Sequence, residues 1–344
     1  MFNSSHQHPE AKAWAALSQT LGKDILLTQA SGGNTSVKLD DQKMLVKASG
    51  LRLGEVTQEK GWVGADFKRI RQGVPELRNE IGTEAQSKAY QRLLASSTDT
   101  SGLPISLEAG LHALMPDRWV AHVHSVAGQL LGLMPVEEAR KWVAENSGGT
   151  VSLHHVAPAV PGHDLCVKVA EGIANDPPPT QGNGIPLWIL QNHGVAWGAT
   201  TDKNILAASE KFEGPLRERF GFHRFSPPRI EPLDPNRHPG PEGKIWYRAH
   251  LSEWPICHFD TTPVLTDFVG HFDLWSDAPP DFIQTDDHTA NILAQSPREM
   301  EGHAQVFYAH ALVSTLARQE GWFRPLPPHV VQAIKRLELE RSHP

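Results

Sequence analysis

The chain has 344 residues, of which 39% are hydrophobic and 21% charged, with a net charge of −7. This length is enough for a sizeable core in one large domain or two smaller ones. A mildly acidic chain without a dense basic run is not typical of a nucleic-acid-binding protein. Because there is no run of about 18 apolar residues, we expect no membrane span.

The N-terminal residues and the two cysteines also give expectations. The first residues, MFNSSHQHPEAK, lack the apolar stretch of a signal peptide, so a cytoplasmic protein is expected. Cys166 and Cys257 cannot form a disulfide framework, and neither lies in a metal-binding CxxC pattern.

The first 225 residues mix helical and strand patterns. In chain order the patterns predict a helix at 10–21 and a hairpin formed by SGGNTSVKL and MLVKA around a turn at 40–42. Helices are then predicted at 80–96 and in SLEAGLHALM, followed by a strand in RWVAHVHS and helical structure over 126–146. The last predicted elements of this part are a helix at 164–174, a strand pair in PLWILQNHGVAWGA broken at Gly194, and a helix at 201–220. Because the strands favour hairpins over βαβ units, we predict an α/β layered fold with a largely antiparallel sheet.

The amino-acid composition of the chain changes near residue 226. Residues 226–243 contain six prolines among eighteen residues, which argues against regular structure and predicts a linker or a draping arm. Helices are predicted at 298–318 and 329–341, the latter with an apolar stripe of Val330, Ile334 and Leu337. We therefore predict a domain at 1–225 and a Pro-rich C-terminal extension at 226–344, which packs on that domain or on a neighbouring subunit.

Three of the nineteen histidines form a candidate metal site. His122 and His124 are two residues apart on a predicted strand, so both imidazoles face the same side, about 6.5–7 Å apart at Cα. His193 lies at the end of an apolar strand, just before Gly194. Three imidazoles and an open fourth position would suit a catalytic zinc ion. The alternatives are a solvated strand face for the HxH pair and a backbone-capping role for His193.

Other polar residues could complete such a site. Glu108 begins the SLEAGLHALM helix, where the helix N-terminus favours an ionised carboxylate. The SGGNTS turn can direct several backbone N–H groups inward, and Asn34 and Ser36 add polar side chains suited to an anion such as phosphate. Lys47 and the pair Ser49–Gly50 could form a second wall. The alternative for the turn is a flexible hairpin entry.

The motifs SGGNTSVK, KASG, PISLE, HVHS and LQNHG occur in an order that resembles the class II aldolase/adducin family over residues 10–220. The similarity extends to the aldolase half of bacterial rhamnulose-phosphate aldolase/alcohol dehydrogenase fusion proteins. The resemblance implies an α/β/α sandwich around a mostly antiparallel sheet, assembled as a homotetramer with active sites at subunit interfaces.

The same resemblance assigns roles to residues. His122, His124 and His193 match metal-binding histidines, and Glu108 matches the general acid/base. Matches to phosphate-contacting positions are Gly33, Asn34, Ser49, Gly50 and Ser106. The implied cofactor is a divalent metal, first Zn²⁺, with Mn²⁺, Co²⁺ or Fe²⁺ as alternatives.

The implied activity is that of a metal-dependent lyase, a retro-aldol cleavage of a ketose phosphate or related hydroxy-keto sugar through a metal-stabilised enediolate. Two departures keep alternatives open. Leu107 stands where sugar-phosphate aldolases have a second hydroxyl, and none of Tyr90, Tyr247 and Tyr308 falls where the family's tyrosine acid is expected. A decarboxylase, epimerase or dehydratase using the same metal site is the alternative, and an adducin-like interaction module ranks lower.

Histidines outside this set are predicted to have structural roles. His112, four residues after Glu108, is expected to make a structural hydrogen bond. His154 and His155 are adjacent in the sequence and are predicted to lie in a loop. Asp286, Asp287 and His288 are interpreted as a solvated turn.

Overall fold

The computed structural model describes residues 9–77, 83–99, 102–178, 184–224, 226–241, 243–250, 262–272, 282–286 and 288–342. A seven-stranded sheet forms the centre of the molecule. Its strands, in chain order, are β1 (Asn34–Lys38), β2 (Lys43–Lys47), β3 (Trp62–Asp66), β4 (Trp119–Val123), β5 (Val151–Val156), β6 (Ile185–Leu190) and β7 (Gly194–Ala199). They lie in the order β3-β2-β1-β4-β7-β6-β5, and β5 with β6 is the one parallel pair among these strands.

Helices cover both faces of this sheet. One face carries α1 (Pro9–Gly22), α5 (Val126–Leu133), α8 (Asp202–Arg219) and α10 (Pro297–Gln319); the other carries α2 (Phe67–Glu76), α3 (Thr83–Ser96), α4 (Ala109–Leu114) and α7 (His163–Asn175). The remaining helix of this region is α6 (Val136–Asn146). The predicted α/β/α sandwich with a mostly antiparallel sheet is therefore confirmed.

The alternation of side chains along β4 explains how the sheet separates the two cores. Trp119, Ala121 and Val123 are buried in the larger core, while Val120 is buried in the smaller one. His122 lies between these apolar positions and shares the face of Val120, as the period of two predicts. The sheet thus holds a polar pair at one end of an otherwise apolar strand.

Short polar side chains fix the starts of several helices. Asp66, Ser125, Thr201 and Ser296 each accept a hydrogen bond from a backbone N–H in the first turn of the helix that follows. Such caps satisfy donors that have no partner within the helix. The cap at Ser125 is close to the site, because it starts α5 directly after His124.

A second, four-stranded antiparallel sheet occupies part of the C-terminal region. It consists of β8 (Arg229–Pro232), β9 (Ile245–His250), β10 (Phe282–Gln284) and β11 (Thr289–Ala294), in the order β10-β11-β9-β8. The prediction that 226–243 has no regular structure is wrong, since β8 lies within it. β8 is an edge strand, and an edge is where a strand tolerates proline.

Two more helices follow from this region. They are α9 (Thr266–His271) and α11 (Pro328–Ser342). Val330 and Ile334 of α11 pack against Val269 of α9, and Leu337 is also buried, so the predicted apolar stripe is confirmed. The larger core continues from α1 through Tyr247 and Ala290 to α10, so the C-terminal region shares a core with the first 225 residues.

Several other predictions are corrected. The helical stretch 126–146 is two helices, because Pro135 lies between α5 and α6. His154 and His155 lie on β5 and not in a loop. The helix predicted at 80–96 begins at Thr83 as described, and residues 80–82 lie outside the described residues, as does Cys257. Within the described part of the chain, the search for a helix both long and apolar enough to cross a membrane finds none.

Candidate metal centre and active site

Four buried side chains meet at one point. Glu108, His122, His124 and His193 each offer a ligand atom, and these atoms lie within 4.8 Å of one another. The Nε2 atoms of His122 and His124 are 3.1 Å apart, and Oε1 of Glu108 lies 3.4 Å from Nε2 of His122 and 2.9 Å from Nε2 of His193. The end of β4 supplies His122 and His124, the turn between β6 and β7 supplies His193, and the residue that caps the start of α4 is Glu108.

The outer nitrogens of the rings determine what the inner nitrogens can do. His122 donates its Nδ1–H to the carbonyl of Val195, at 3.0 Å, and His124 donates its Nδ1–H to the carboxylate of Asp267. In the neutral tautomer each Nε2 then carries a lone pair directed at the centre. Two lone pairs at 3.1 Å repel each other unless a cation lies between them. The donor set therefore fits a divalent metal ion.

Burial and neighbouring charges shift the pKa values of Glu108, His122 and His124. Burial lowers the pKa of His122. Burial would also lower the pKa of His124, but the nearby Asp267 carboxylate outweighs it and raises that pKa. Burial alone would raise the pKa of Glu108, yet His122 and His193 hold it well below its usual value. The carboxylate is therefore an anion, as a metal ligand must be.

A set of buried hydrogen bonds fixes the oxygen of Glu108 that does not contact the histidines. The Nδ2 group of Asn34 donates to Oε2 of Glu108 at 2.7 Å and to Oγ of Ser106 at 3.3 Å. His112 donates from Nε2 to Oδ1 of Asn34 and accepts from Ser36 Oγ at 2.8 Å. Burial lowers the pKa of His112 to about 3, so this ring is neutral. The predicted structural hydrogen bond of His112 is therefore present, and it orients Asn34.

A cavity of about 260 Å³ opens beside the cluster. The residues lining it include Ser31, Gly32, Gly33, Asn34, Lys47, Ser49, Gly50, Ser106, Leu107, Glu108, His124 and His193, together with Thr266, Asp267, Gly270, Ile334 and Leu337 from the C-terminal region. Polar groups line the wall formed by the SGGNTS turn, whereas α11 contributes two apolar side chains. The cavity thus has a polar end and an apolar end.

The polar wall depends on the glycine backbone and on one buried cation. Gly33 has φ = +70°, and a Cβ there would come within 3.1 Å of the His122 carbonyl, so only glycine suits this turn. Lys47 is 2% exposed and donates to the carbonyls of Ser31 at 3.1 Å and Leu51 at 2.6 Å. Burial lowers the pKa of Lys47 to about 8, while Glu108 acts in the opposite direction.

The sequence of this chain matches one family model along most of its first two thirds. Residues 12–211 match the family described as "Class II Aldolase and Adducin N-terminal domain". This chain is a member of the class II aldolase/adducin family. The prediction made from its five motifs is confirmed. Class II aldolases use a divalent metal ion. In this family member, Glu108, His122, His124 and His193 form a buried cluster that could hold such an ion.

Solved structures of this family resemble the chain at low identity. The N-terminal class II aldolase domain of a conserved protein from Thermoplasma acidophilum is 22% identical, with a TM-score of 0.47 over 60% of this chain and 91% of that one. An L-fuculose 1-phosphate aldolase is 19% identical, with a TM-score of 0.39 over 60% and 86%. YgbL from Klebsiella pneumoniae, named as an aldolase/epimerase/decarboxylase, is 16% identical, with a TM-score of 0.41 over 63% and 91%. A comparison with curated proteins found no match.

The fold of this family member brings most of the predicted site residues together. Besides the cluster itself, Gly33, Asn34, Lys47, Ser49, Gly50 and Ser106 line the cavity. Ser36 does not: it is fully buried and bonded to His112, because it lies two residues further along β1 than Asn34, which lines the cavity. The prediction that Ser36 contacts an anion directly is therefore not supported by its position.

Sequence reasoning about this family member missed Asp267. It is 143 positions from His124, on a helix that no motif marks, and yet its carboxylate bonds the metal-site imidazole. None of the three tyrosines, all of which are described, lines the cavity. Tyr90 is buried and donates to the Leu107 carbonyl at 2.6 Å, and Tyr247 and Tyr308 are buried in the larger core.

Proposed function

We propose that this chain is a metal-dependent carbon–carbon lyase that cleaves a ketose phosphate or related hydroxy-keto sugar by a retro-aldol reaction. One observation carries the proposal. The carboxylate of Glu108 belongs both to the cluster with His122, His124 and His193 and to a cavity that the polar SGGNTS turn also lines.

The three histidines and Glu108 would hold the divalent ion. We propose Zn²⁺ first, because nitrogen and carboxylate ligands in a four-residue set suit it, although Mn²⁺, Co²⁺ and Fe²⁺ accept similar ligands. When bound, such an ion supplies the positive charge that stabilises negative charge on the oxygens of a substrate.

Glu108 is proposed as the group that moves a proton to and from the substrate carbon. One of its oxygens is fixed by Asn34 at 2.7 Å, which leaves the other facing the histidines and the cavity. A carboxylate held in one orientation can exchange a proton with a carbon placed within reach. Asn34 therefore acts on the reaction by orienting Glu108.

The polar end of the cavity is proposed to hold an anionic substrate group such as phosphate. Gly33 and Gly50 let the backbone approach closely, and the hydroxyls of Ser49 and Ser106 add donors. Lys47 supplies positive charge from a buried position. This local set binds an anion even though the chain as a whole is acidic.

Decarboxylation is the second candidate, because no tyrosine among the described residues lines the site to take up the proton of the substrate hydroxyl as the carbon–carbon bond breaks. Carbon dioxide leaves as a neutral molecule, and the enolate left behind takes up one proton at carbon, from water or from a protonated Glu108, so no second proton-transfer group is required. Epimerisation or dehydration on the same site, and an adducin-like interaction role, rank lower. We further propose a cytoplasmic homotetramer with a domain at 1–225 and the extension at 226–344, acting on a small sugar or sugar phosphate.

The test combines metal analysis with a substrate screen. We expect about one divalent ion per purified chain, and release of dihydroxyacetone phosphate from at least one ketose 1-phosphate. E108Q should abolish this release, while S36A, which alters a buried neighbour outside the cavity, should retain it. Metal-loaded protein that cleaves no ketose phosphate but releases carbon dioxide from a sugar acid would favour the decarboxylase. Absence of bound metal after zinc supplementation would overturn both.

A further inference from the structure

The bond between His124 and Asp267 joins the metal cluster to a part of the chain outside the matched family domain. His124 belongs to the matched residues 12–211, and Asp267 lies on α9, beyond them. The His124 side chain is 5% exposed and the Asp267 side chain 23% exposed. A carboxylate is therefore held against a buried imidazole, at the wall of the cavity.

The segment that carries Asp267 is anchored on the turn that carries His193. Asn192, which precedes this histidine, accepts a hydrogen bond from the backbone N–H of Thr266 at 2.9 Å. Its side-chain Nδ2 donates to the carbonyls of Val264 at 2.7 Å and Arg324 at 3.0 Å. These bonds fix the start of α9 relative to the cluster, so the approach of Asp267 to His124 is built into the fold.

The three histidines differ in what their outer nitrogens contact. His122 donates to a neutral backbone carbonyl, and Nδ1 of His193 has no hydrogen-bond partner among the described residues. Among the described residues, His124 is the one histidine of the three whose outer nitrogen, Nδ1, contacts a carboxylate. A carboxylate fixes the tautomer and ring orientation of a histidine ligand and makes its other nitrogen a stronger donor.

We propose that Asp267 is a positioning residue that sets the metal affinity of the site through His124. The C-terminal region thereby supports a cluster whose four described members all come from the first 200 residues. This inference rests on the metal site of the proposed function, and it adds a residue that the family match does not cover.

The experiment measures metal affinity in the full-length protein by competition between the protein and a chromophoric chelator for Zn²⁺. We expect D267N to bind Zn²⁺ about 10–100-fold more weakly than wild type, and D267E to recover part of the loss. E231Q is the matched control, because Glu231 also pairs with a histidine of the C-terminal region, His250 at 3.0 Å, but that histidine is not in the cluster. E231Q should bind as wild type does.

Two further readouts separate positioning from a general loss of structure. The visible absorption spectrum of Co²⁺-loaded protein should change in D267N and not in E231Q, since it reports ligand geometry. In the wild-type protein, without any substitution, proton NMR should show a downfield imidazole N–H resonance from the His124–Asp267 bond, so a poorly folding variant does not prevent the test.

The outcomes distinguish the two proposals. Wild-type affinity in D267N with an unchanged Co²⁺ spectrum would refute the role of Asp267 and leave the lyase proposal standing, as would absence of the downfield resonance. Failure of the wild-type protein to bind any metal would refute both.

Discussion

Asn34 and Ser36 are two residues apart on β1, and the structure gives them different roles that can be measured. Asn34 holds the Glu108 carboxylate, whereas Ser36 contacts only the neutral His112 within this set. A hydrogen bond to a charged group contributes about 1.5–3 kcal/mol, and a neutral one about 1 kcal/mol. N34A also leaves a buried carboxylate oxygen and a buried imidazole N–H without their partner. We therefore expect N34A to lower the free energy of unfolding by about 3 kcal/mol, and S36A by about 1 kcal/mol.

The assay is urea unfolding of metal-free protein, followed by the fluorescence of its tryptophans, in a double-mutant cycle with E108A. Because Asn34 acts on Glu108 directly, the N34A/E108A cycle should give a coupling energy of about 1.5–3 kcal/mol. The S36A/E108A cycle is the control and should give less than about 0.5 kcal/mol. Equal coupling energies in the two cycles, or none in the first, would refute the proposed division of roles.

Three other predictions concern the cluster and two buried groups. The H122A/H124A double variant should lose the bound metal, as measured by elemental analysis. Burial lowers the pKa of Lys38 to about 7 from its usual 10.5. The unfolded chain then binds more protons at this side chain between these values, so Lys38 should add roughly 4 kcal/mol to stability from pH 7 to 10.5, and in urea titrations K38M should gain less stability than wild type over this range by that amount. Burial raises the pKa of Cys166 to about 12, so in native protein iodoacetamide at pH 8 should leave this thiol unmodified, as read by mass spectrometry.

Local periodicity places two of the histidines on one strand face, and the resemblance to the family assigns the ligand set, including His193 and Glu108. The alternation of β4 places His122 and His124 on one face whatever the strand pairs with, and Gly194 marks the start of β7, directly after the turn that carries His193. The α/β layered fold could also be predicted from local patterns, because the hydrophobic periods of strands and helices are properties of short segments. Most of the cavity wall could likewise be named from one turn and one strand end.

Long-range contacts could not be predicted in this way. Ser36 contacts His112 and does not line the cavity, because α4, which carries His112, packs against β1. No pattern within β1 predicts this packing. The strand at Arg229–Pro232 was missed because proline counts predict loops, while the edge position that tolerates Pro232 is decided by the partner strand β9. Asp267 is an acidic residue like many others until folding brings it to His124.

The turn at Asn192 shows why the C-terminal region and the metal centre form one unit. Asn192 has φ = +63°, a conformation that asparagine adopts more readily than most residues. With this conformation the chain places His193 in the cluster. The side-chain amide of Asn192, the residue before it, donates hydrogen bonds to the carbonyls of Val264 and Arg324. A displacement of the C-terminal region would therefore pull on His193 through the backbone and on His124 through Asp267. Two of the three imidazoles are thus tied to residues beyond 260, so the geometry of the cluster depends on the docking of a region whose described residues supply none of its four side chains.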